Sequence, residues 1–276
     1  MIKIFVTVRN RLAITKKCIE AISRHTSMKH NVYVYDNSTN YLLDEHFAYF
    51  RDMYKQGKVH QITFTTKQTT FNAFSKASAC NFFGQQHESD PEKDKCEFLL
   101  FLDNDIILLP KWDLKIEAAW KFVTKNGFKN VKVISQLPGG IKGRSDYYNI
   151  TDKMKARIGI LGGSGLWTVR NNFFTDVGFL NLKVLVGQDK KHDQLYWEML
   201  KRASGGNPYI MGVNHKLGVH CGLMCGSVCN KLTKNRLDPK REELIKFEES
   251  EKEINSMDFD TFFNKIVNDE RLARDW

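Results

Sequence analysis

The sequence predicts an α/β fold with a mainly parallel central sheet flanked by helices, and three observations carry that expectation. Apolar runs of strand length recur at 3–8, 31–35, 59–65 and 98–102. Segments with helical spacing separate most of them, which is the alternation of βαβ units. The runs also end in polar clusters, Arg9-Asn10-Arg11, Asp36-Asn37-Ser38 and Asp103-Asn104-Asp105. Ligands of open parallel sheets bind beyond the carboxyl ends of the strands, so these clusters mark the expected functional edge.

Each element has its own signal. Residues 3–8 (KIFVTV) read as the first strand, and Leu12, Cys18, Ile19 and Ile22 then recur with helical spacing. Strands follow at 31–35 and 59–65, a helix of small and apolar residues at 71–83, and a polar loop at 85–95. The stretch 97–112, EFLLFLDNDIILLPKW, organises the rest. Its run at 98–102 is apolar on every side, as suits a central strand covered on both faces. A helix is expected at 112–122, a strand at 130–136, a glycine-rich polar loop at 138–149 and a strand at 166–170. The glycines at 158–165 match neither a dinucleotide fingerprint nor a Walker motif. A short helix at 171–177 capped by Gly178, a helix opened by Gly187-Gln188-Asp189 and a strand at 209–213 complete the main unit. Beyond it lie a basic cluster (Lys231, Lys234, Arg236, Lys240, Arg241) and amphipathic helices striped by Phe259, Phe262, Phe263 and Ile266. We therefore expect a main domain over 1–230 and a small basic helical appendage over 231–276.

Asp103 and Asp105 stand two residues apart after the central strand, where packing gives no reason for carboxylates. A tight turn brings such a pair toward one ion, and hard oxygen ligands suit Mg²⁺ or Mn²⁺, particularly with phosphate oxygens completing the shell. The same tripeptide also suits a plain hydrophilic turn. His220 is a candidate third ligand, and an imidazole shifts the preference toward Mn²⁺. Asp189 and Asp193 are candidates for a general base, although Asp189 also suits a helix cap. Cys221, Cys225 and Cys229 are spaced by four, which is not a common zinc pattern.

A chain of 276 residues buries a sizeable core, and its longest apolar runs are far too short to cross a membrane. A soluble, cytoplasmic protein with free thiols is the expectation, given six scattered cysteines and no secretory layout at Met1. The net charge of +10 implies attraction to an anionic partner without choosing among nucleic acid, an acidic membrane surface and a charged sugar donor.

In family order, these residues resemble the nucleotide-sugar glycosyltransferases of the GT-A fold, within their family 2-like, inverting group. FVTVRNRLAITKKCIEAI is similar to that family's opening strand and helix, and VYVYDNST to its second strand, where the residue matching Asp36 contacts the nucleotide base. FNAFSKASACN is similar to the donor-side helix, with Asn72 and Asn81 spaced as in the family but without its usual glycines. LLFLDNDIILLPKW carries the D-x-D motif, GGSGLWTVRNNFFTDVGFLN resembles the acceptor-side segment, and GQDKKHDQLYWEML the segment supplying the catalytic base. Gln188 replaces the usual acidic partner of Asp189, which leaves Asp189 and Asp193 both open as the base.

The resemblance implies a nucleotide-binding half over 1–110 and an acceptor half over 111–230. It implies donor contacts by Arg9, Asn10, Asp36, Asn72, Asp103 and Asn104, a Mn²⁺ or Mg²⁺ ion on Asp103, Asp105 and His220, and a nucleoside-diphosphate-sugar donor. The acceptor it implies is a glycan or lipid-linked glycan, reached by peripheral membrane contact in the latter case. Three rivals stay open: the same chemistry on a hydroxylated DNA base, a nucleotidyltransferase releasing pyrophosphate, and a non-enzymatic nucleic-acid binder. The last explains the charge but not carboxylates gathered at strand ends.

Overall fold

The computed structural model describes residues 1–38, 43–65, 72–136, 147–158, 165–179, 210–214, 216–221 and 241–269; at 43, 72–77, 241–244 and 246 it describes the backbone alone. Asp189, Asp193, Cys225, Cys229, the glycine-rich stretches at 138–146 and 159–164, and the basic cluster from Lys231 to Lys240 lie outside the described residues.

The strands are β1 (Ile2–Val8), β2 (His30–Asp36), β3 (Gln61–Phe64), β4 (Phe98–Asp103), β5 (Ile106–Leu108), β6 (Val133–Gln136), β7 (Tyr148–Asn149), β8 (Lys155–Ile158), β9 (Leu166–Arg170), β10 (Ile210–Val213) and β11 (Gly218–His220). The helices are α1 (Leu12–His25), α2 (Leu43–Lys55), α3 (Asn72–Glu88), α4 (Trp112–Lys125), α5 (Phe173–Val177), α6 (Arg241–Ser256) and α7 (Phe259–Asn268).

Nine of these strands form one sheet in the order β3-β2-β1-β4-β9-β6-β10-β8-β7. Its β3-β2-β1-β4 half is parallel, as expected, and β6 and β10 are also parallel neighbours. Strand β9 runs antiparallel between β4 and β6, and β8 and β7 are antiparallel too, so the whole sheet is mixed. Hydrophobic periodicity carries no direction, which is why the sequence could not separate these strands from the parallel set.

Strand alternation divides the core in two. Ile2, Ile4, Val6 and Val8 of β1 and Phe98, Leu100 and Leu102 of β4 face α1, α4, α6 and α7. Phe5, Leu99 and Phe101 face the other way, toward α3 and α5, in an aromatic layer with Phe83, Trp167, Phe173 and Phe174. Strand β4 is buried on both faces, as its continuous apolar run requires.

Helix α2 has no counterpart in the sequence reading. Its core contact runs through buried His46 and Phe50, with Tyr49 and Met53 packed against the core, while Phe47 and Tyr54 stay exposed, so its pattern is blurred. Helix α3 continues to Glu88, into the expected loop, because its last turn has partners. His87 Nδ1 lies 3.1 Å from buried Lys3 Nζ, and Glu88 accepts from Lys93 and Thr175. Lys3 Nζ also donates to Asp90 at 2.6 Å, tying the start of β1 to the end of α3. Helices α6 and α7 lay Phe247, Ile254, Phe259, Phe262 and Ile266 into the same apolar cluster as α1. Lys17 of α1 donates to the carbonyl of Met257 between them, and Asp258 caps α7.

One close approach fixes α3 against α5. A Cβ on Gly84 would stand 2.6 Å from Phe174 Cε1, and that ring is held by Phe101, Phe173 and Phe179. Overpacking costs about 1–3 kcal/mol and exceeds the helix-propensity gain of roughly 1 kcal/mol. Gly84→Ala is therefore expected to lower the urea midpoint at unchanged slope; a raised midpoint would show that the aromatic layer yields freely.

Candidate functional site

Parallel pairing of β1 with β2 and β4 brings three strand ends to one edge, with Asp36 opposite Val8 and Asp103 opposite Thr7. The chain leaves β1 through Asn10 (φ 55°) and Arg11 (φ 59°), two consecutive left-handed residues without a glycine. Such geometry costs about 1–2 kcal/mol per residue and persists where surrounding contacts over-determine it. Here the contacts are specific. The Asn10 N–H donates to Ser38 Oγ at 2.8 Å, and the Asn10 carbonyl accepts from Asn104 Nδ2 at 3.2 Å. Arg11 caps α1 from the left-handed region and donates Nη1 to Asp105 Oδ2 at 2.6 Å, with both side chains buried.

The DND tripeptide forms the turn between β4 and β5. Asp103 N–H donates to the Gly165 carbonyl and Asn104 N–H to the Thr7 carbonyl. Asn104 Nδ2 also donates to Thr15 Oγ1 at 2.7 Å, and Thr15 donates on to the Arg11 carbonyl. Asp103 remains partly exposed, whereas Asp105 is buried.

His220 reaches this turn through a second, two-stranded sheet. Strand β11 pairs antiparallel with β5, setting His220 opposite Ile106, and the Cys221 N–H donates to the Asp105 carbonyl at 2.7 Å. Gln136 Oε1 accepts from the N–H groups of Leu217 and Gly218 and so anchors β11 to the main sheet. His220 Nε2 lies 3.3 Å from Asp105 Oδ2. Burial opposes charge on His220, but the hydrogen bond and charge of Asp105 and the charge of Asp103 outweigh it, against Arg11, and raise its pKa above the ordinary histidine value.

The donor set of two carboxylates and an imidazole has the chemistry of a Mn²⁺ site. Among the described residues, however, no three such groups converge on one point, since Asp105 is turned to Arg11 and His220. Two expected donor contacts are also engaged within the protein. Asp36 is fully buried, with Oδ1 accepting from the Ser38 N–H and Oδ2 2.7 Å from His46 Nδ1. Asn104 Nδ2 is held as above. Arg9 stands at the same edge, and burial lowers its pKa. Asn72 opens α3.

Sequence reasoning passed over Thr15, Ser38, His46, Gln136 and Glu251. Ser38 stands just past the end of β2, a signal that could have found it; Thr15 lies inside α1, and His46, Gln136 and Glu251 act on partners ten or more residues away and leave no local trace. Cys18, Cys80, Cys96 and Cys221 are buried thiols, as expected. Burial and the neighbouring Asp105 raise the Cys18 and Cys221 thiols, which makes them inert.

No family model and no curated protein matches the chain. Solved structures do. Residues 1–349 of S. aureus TarS in complex with UDP align at a TM-score of 0.50 with 17% identity, over 98% of this chain and 76% of that one. A further S. aureus TarS structure aligns at 0.51 with 15% identity, over 90% of this chain and 43% of that one. GalNAc-T7 with UDP, GalNAc and Mn²⁺ aligns at 0.51 with 11% identity, over 98% of this chain and 57% of that one. The chain thus spans under two thirds of those last two, and the likeness is one of fold: an α/β mixed sheet of the GT-A glycosyltransferase type. Among the described residues no helix is long and apolar enough to cross a membrane.

Glu251 of α6 supports the site from behind. Its Oε2 accepts from the Ala13 N–H in the first turn of α1 at 2.8 Å, where a helix N-terminus favours a carboxylate. Burial nevertheless raises its pKa above 4.5, against that hydrogen bond and the charges of His46, Arg11 and Lys16. A carboxyl raised on folding stabilises fully below its unfolded value, and that contribution is lost as pH rises through the folded value. Glu251→Gln is expected to remove the part of the stability decline that begins near pH 4.5. Denaturant midpoints measured across that window test this, and an unchanged slope would refute it.

Proposed function

We propose that the chain transfers a sugar from a nucleoside-diphosphate-sugar to an acceptor hydroxyl in one displacement, with inversion at the anomeric carbon. The observation that carries the reading is that Asp103 ends β4 at the carboxyl edge of the sheet, in the same turn whose Asp105 lies 3.3 Å from His220. GalNAc-T7, whose structure holds UDP, GalNAc and Mn²⁺, has this fold.

Asp103, Asp105 and His220 would hold a divalent ion, Mn²⁺ before Mg²⁺, whose charge would offset that of the diphosphate. Arg11 orients the Asp105 carboxylate. Asn104 and Asp36 fix the exits of β1 and β2, so that Asn10, Arg9 and Asp103 border the donor. Asp189 or Asp193 takes the proton from the acceptor hydroxyl. That oxygen then forms its bond to the anomeric carbon as the bond from that carbon to the diphosphate oxygen breaks, and the nucleoside diphosphate leaves. A glycan, a lipid-linked glycan and a hydroxylated DNA base all supply such a hydroxyl, and the net charge of +10 favours an anionic acceptor.

Two measurements test the reading together. Titration of Mn²⁺, followed by loss of the aqueous-ion EPR signal, should show one site that Asp103→Ala weakens at least about tenfold, the loss expected of a removed ligand. A panel of nucleotide sugars should give metal-dependent release of a nucleoside diphosphate from one donor. Release of pyrophosphate would favour the nucleotidyltransferase, and Mn²⁺ binding unchanged in Asp103→Ala would remove the metal site from the reading.

A further inference from the structure

The opposite edge of the sheet carries a feature that the donor site does not use. Two recesses of about 540 and 510 Å³ open between α4 and the β9–α5 corner, and they share Trp120, Thr124, Arg170 and Asn171 as a common wall. Phe98, the first residue of β4, lines one of them. Asp103 ends the same strand, roughly 17 Å away at about 3.3 Å per residue. The recesses are therefore separate from the mouth where a diphosphate would sit.

Their charges are unevenly paired. Each carboxylate on the walls has a cation: Asp176 with Lys132 at 2.8 Å, Glu117 with Lys121 at 2.6 Å, and Glu97 with the amino terminus at 3.3 Å. Three cations on the walls have no carboxylate among the described residues, namely Arg170, Lys125 and Lys129. Arg170 stands in the shared wall, Lys129 in one recess and Lys125 in the other.

Arg170 is also held in place. Its guanidinium lies 4.8 Å over the Trp120 ring, and Nη2 donates to the Trp120 carbonyl and to Thr124 Oγ1. Among the described residues nothing accepts from its Nε or Nη1, so part of the fork is left to bind. Partial burial lowers its pKa, and no acidic neighbour compensates. A desolvated, oriented guanidinium with free donors is suited to a phosphate oxygen.

We propose that this double recess is a second binding site, for phosphate groups carried on one extended chain, with Arg170 at its centre and Lys125 and Lys129 one to each side. The concave walls suit a strand rather than a flat membrane surface. Trp120 is buried beneath Arg170, and the half-buried Phe128 ring is packed against the core. No wall ring stands fully exposed for a base to stack on, so a non-aromatic backbone is the better fit than single-stranded nucleic acid. The site stands apart from the donor reading and does not need it.

The test is binding of inorganic polyphosphate, compared with pyrophosphate, by calorimetry in EDTA without nucleotide. Polyphosphate should bind at least about tenfold more tightly than pyrophosphate, because two linked contacts raise the effective concentration of the second. Its affinity should fall steeply between about 50 and 200 mM salt. Lys125→Glu with Lys129→Glu should weaken it about tenfold or more, and Arg170→Gln likewise. The charge-matched Lys55→Glu with Lys58→Glu, at the far edge of the sheet, should leave it within about twofold. Equal loss in both lysine pairs would mean attraction by net charge alone and would overturn the site. Equal affinity for pyrophosphate and polyphosphate would overturn the extended chain. If the polyphosphate result holds while no nucleotide sugar is turned over, the second site stands and the glycosyltransferase reading falls alone.

Discussion

The buried ion pair between Arg11 and Asp105 is the contact on which the site is built. Each side chain is about one tenth exposed, so either charge alone would carry a desolvation cost of several kcal/mol. The pair forms only if β1 exits through two left-handed residues and β4 turns at Asn104 and Asp105. The backbone strain at Asn10 and Arg11 is thus offset by the contact it enables. The network then spreads from the pair. Thr15 and Asn104 tie the first turn of α1 to the DND turn, and the Asp105 carbonyl receives β11, which delivers His220.

That arrangement explains why the C-terminal helices matter to an edge they do not line. Helix α1 carries Arg11 at its start, so any tilt of α1 would move the guanidinium away from Asp105. Glu251 engages the first turn of α1, Lys17 anchors its middle to Met257, and Arg24, stacked 4.6 Å from the Phe259 ring, secures its end. Helices α6 and α7 act as a brace along the full length of α1, sharing its apolar core rather than standing off as a separate body.

How much of this could be read in the sequence depended on whether the information was local. The run at 98–102 announced β4 because a strand buried on both faces must be apolar at every position, and acidic residues at its end had no packing excuse. The stripe of Phe259, Phe262 and Ile266 announced α7 because apolar residues three and four apart share one helix face. Helix α2 escaped because it buries little beyond His46 and Phe50. Strand β5 escaped because its partner, β11, lies more than one hundred residues away, and pairing across that distance leaves no periodic trace. Asp36 shows the limit most clearly. Its residue type and position at a strand end matched a ligand contact, yet the structure gives its carboxylate to His46, ten residues on, and to the Ser38 N–H. A strand-end carboxylate serves a ligand or the loop that follows it, and only the partner decides which.

The two edges of the sheet also divide the electrostatic labour. A charge of +10 attracts anions from any direction, yet at the Asp103 edge the local carboxylates repel a diphosphate until a cation offsets them. Arg11 is engaged in offsetting Asp105, and Arg9 at the same edge adds one further positive charge. The proposed divalent ion would add to these in offsetting a diphosphate there. At the Phe98 edge the reverse holds, since every wall carboxylate has a cation while Arg170, Lys125 and Lys129 have no carboxylate among the described residues. An anionic group binds there with no metal between. On the two proposals, one edge of the sheet would take anions through a bridging cation and the other would take them directly, with the length of β4 separating the two.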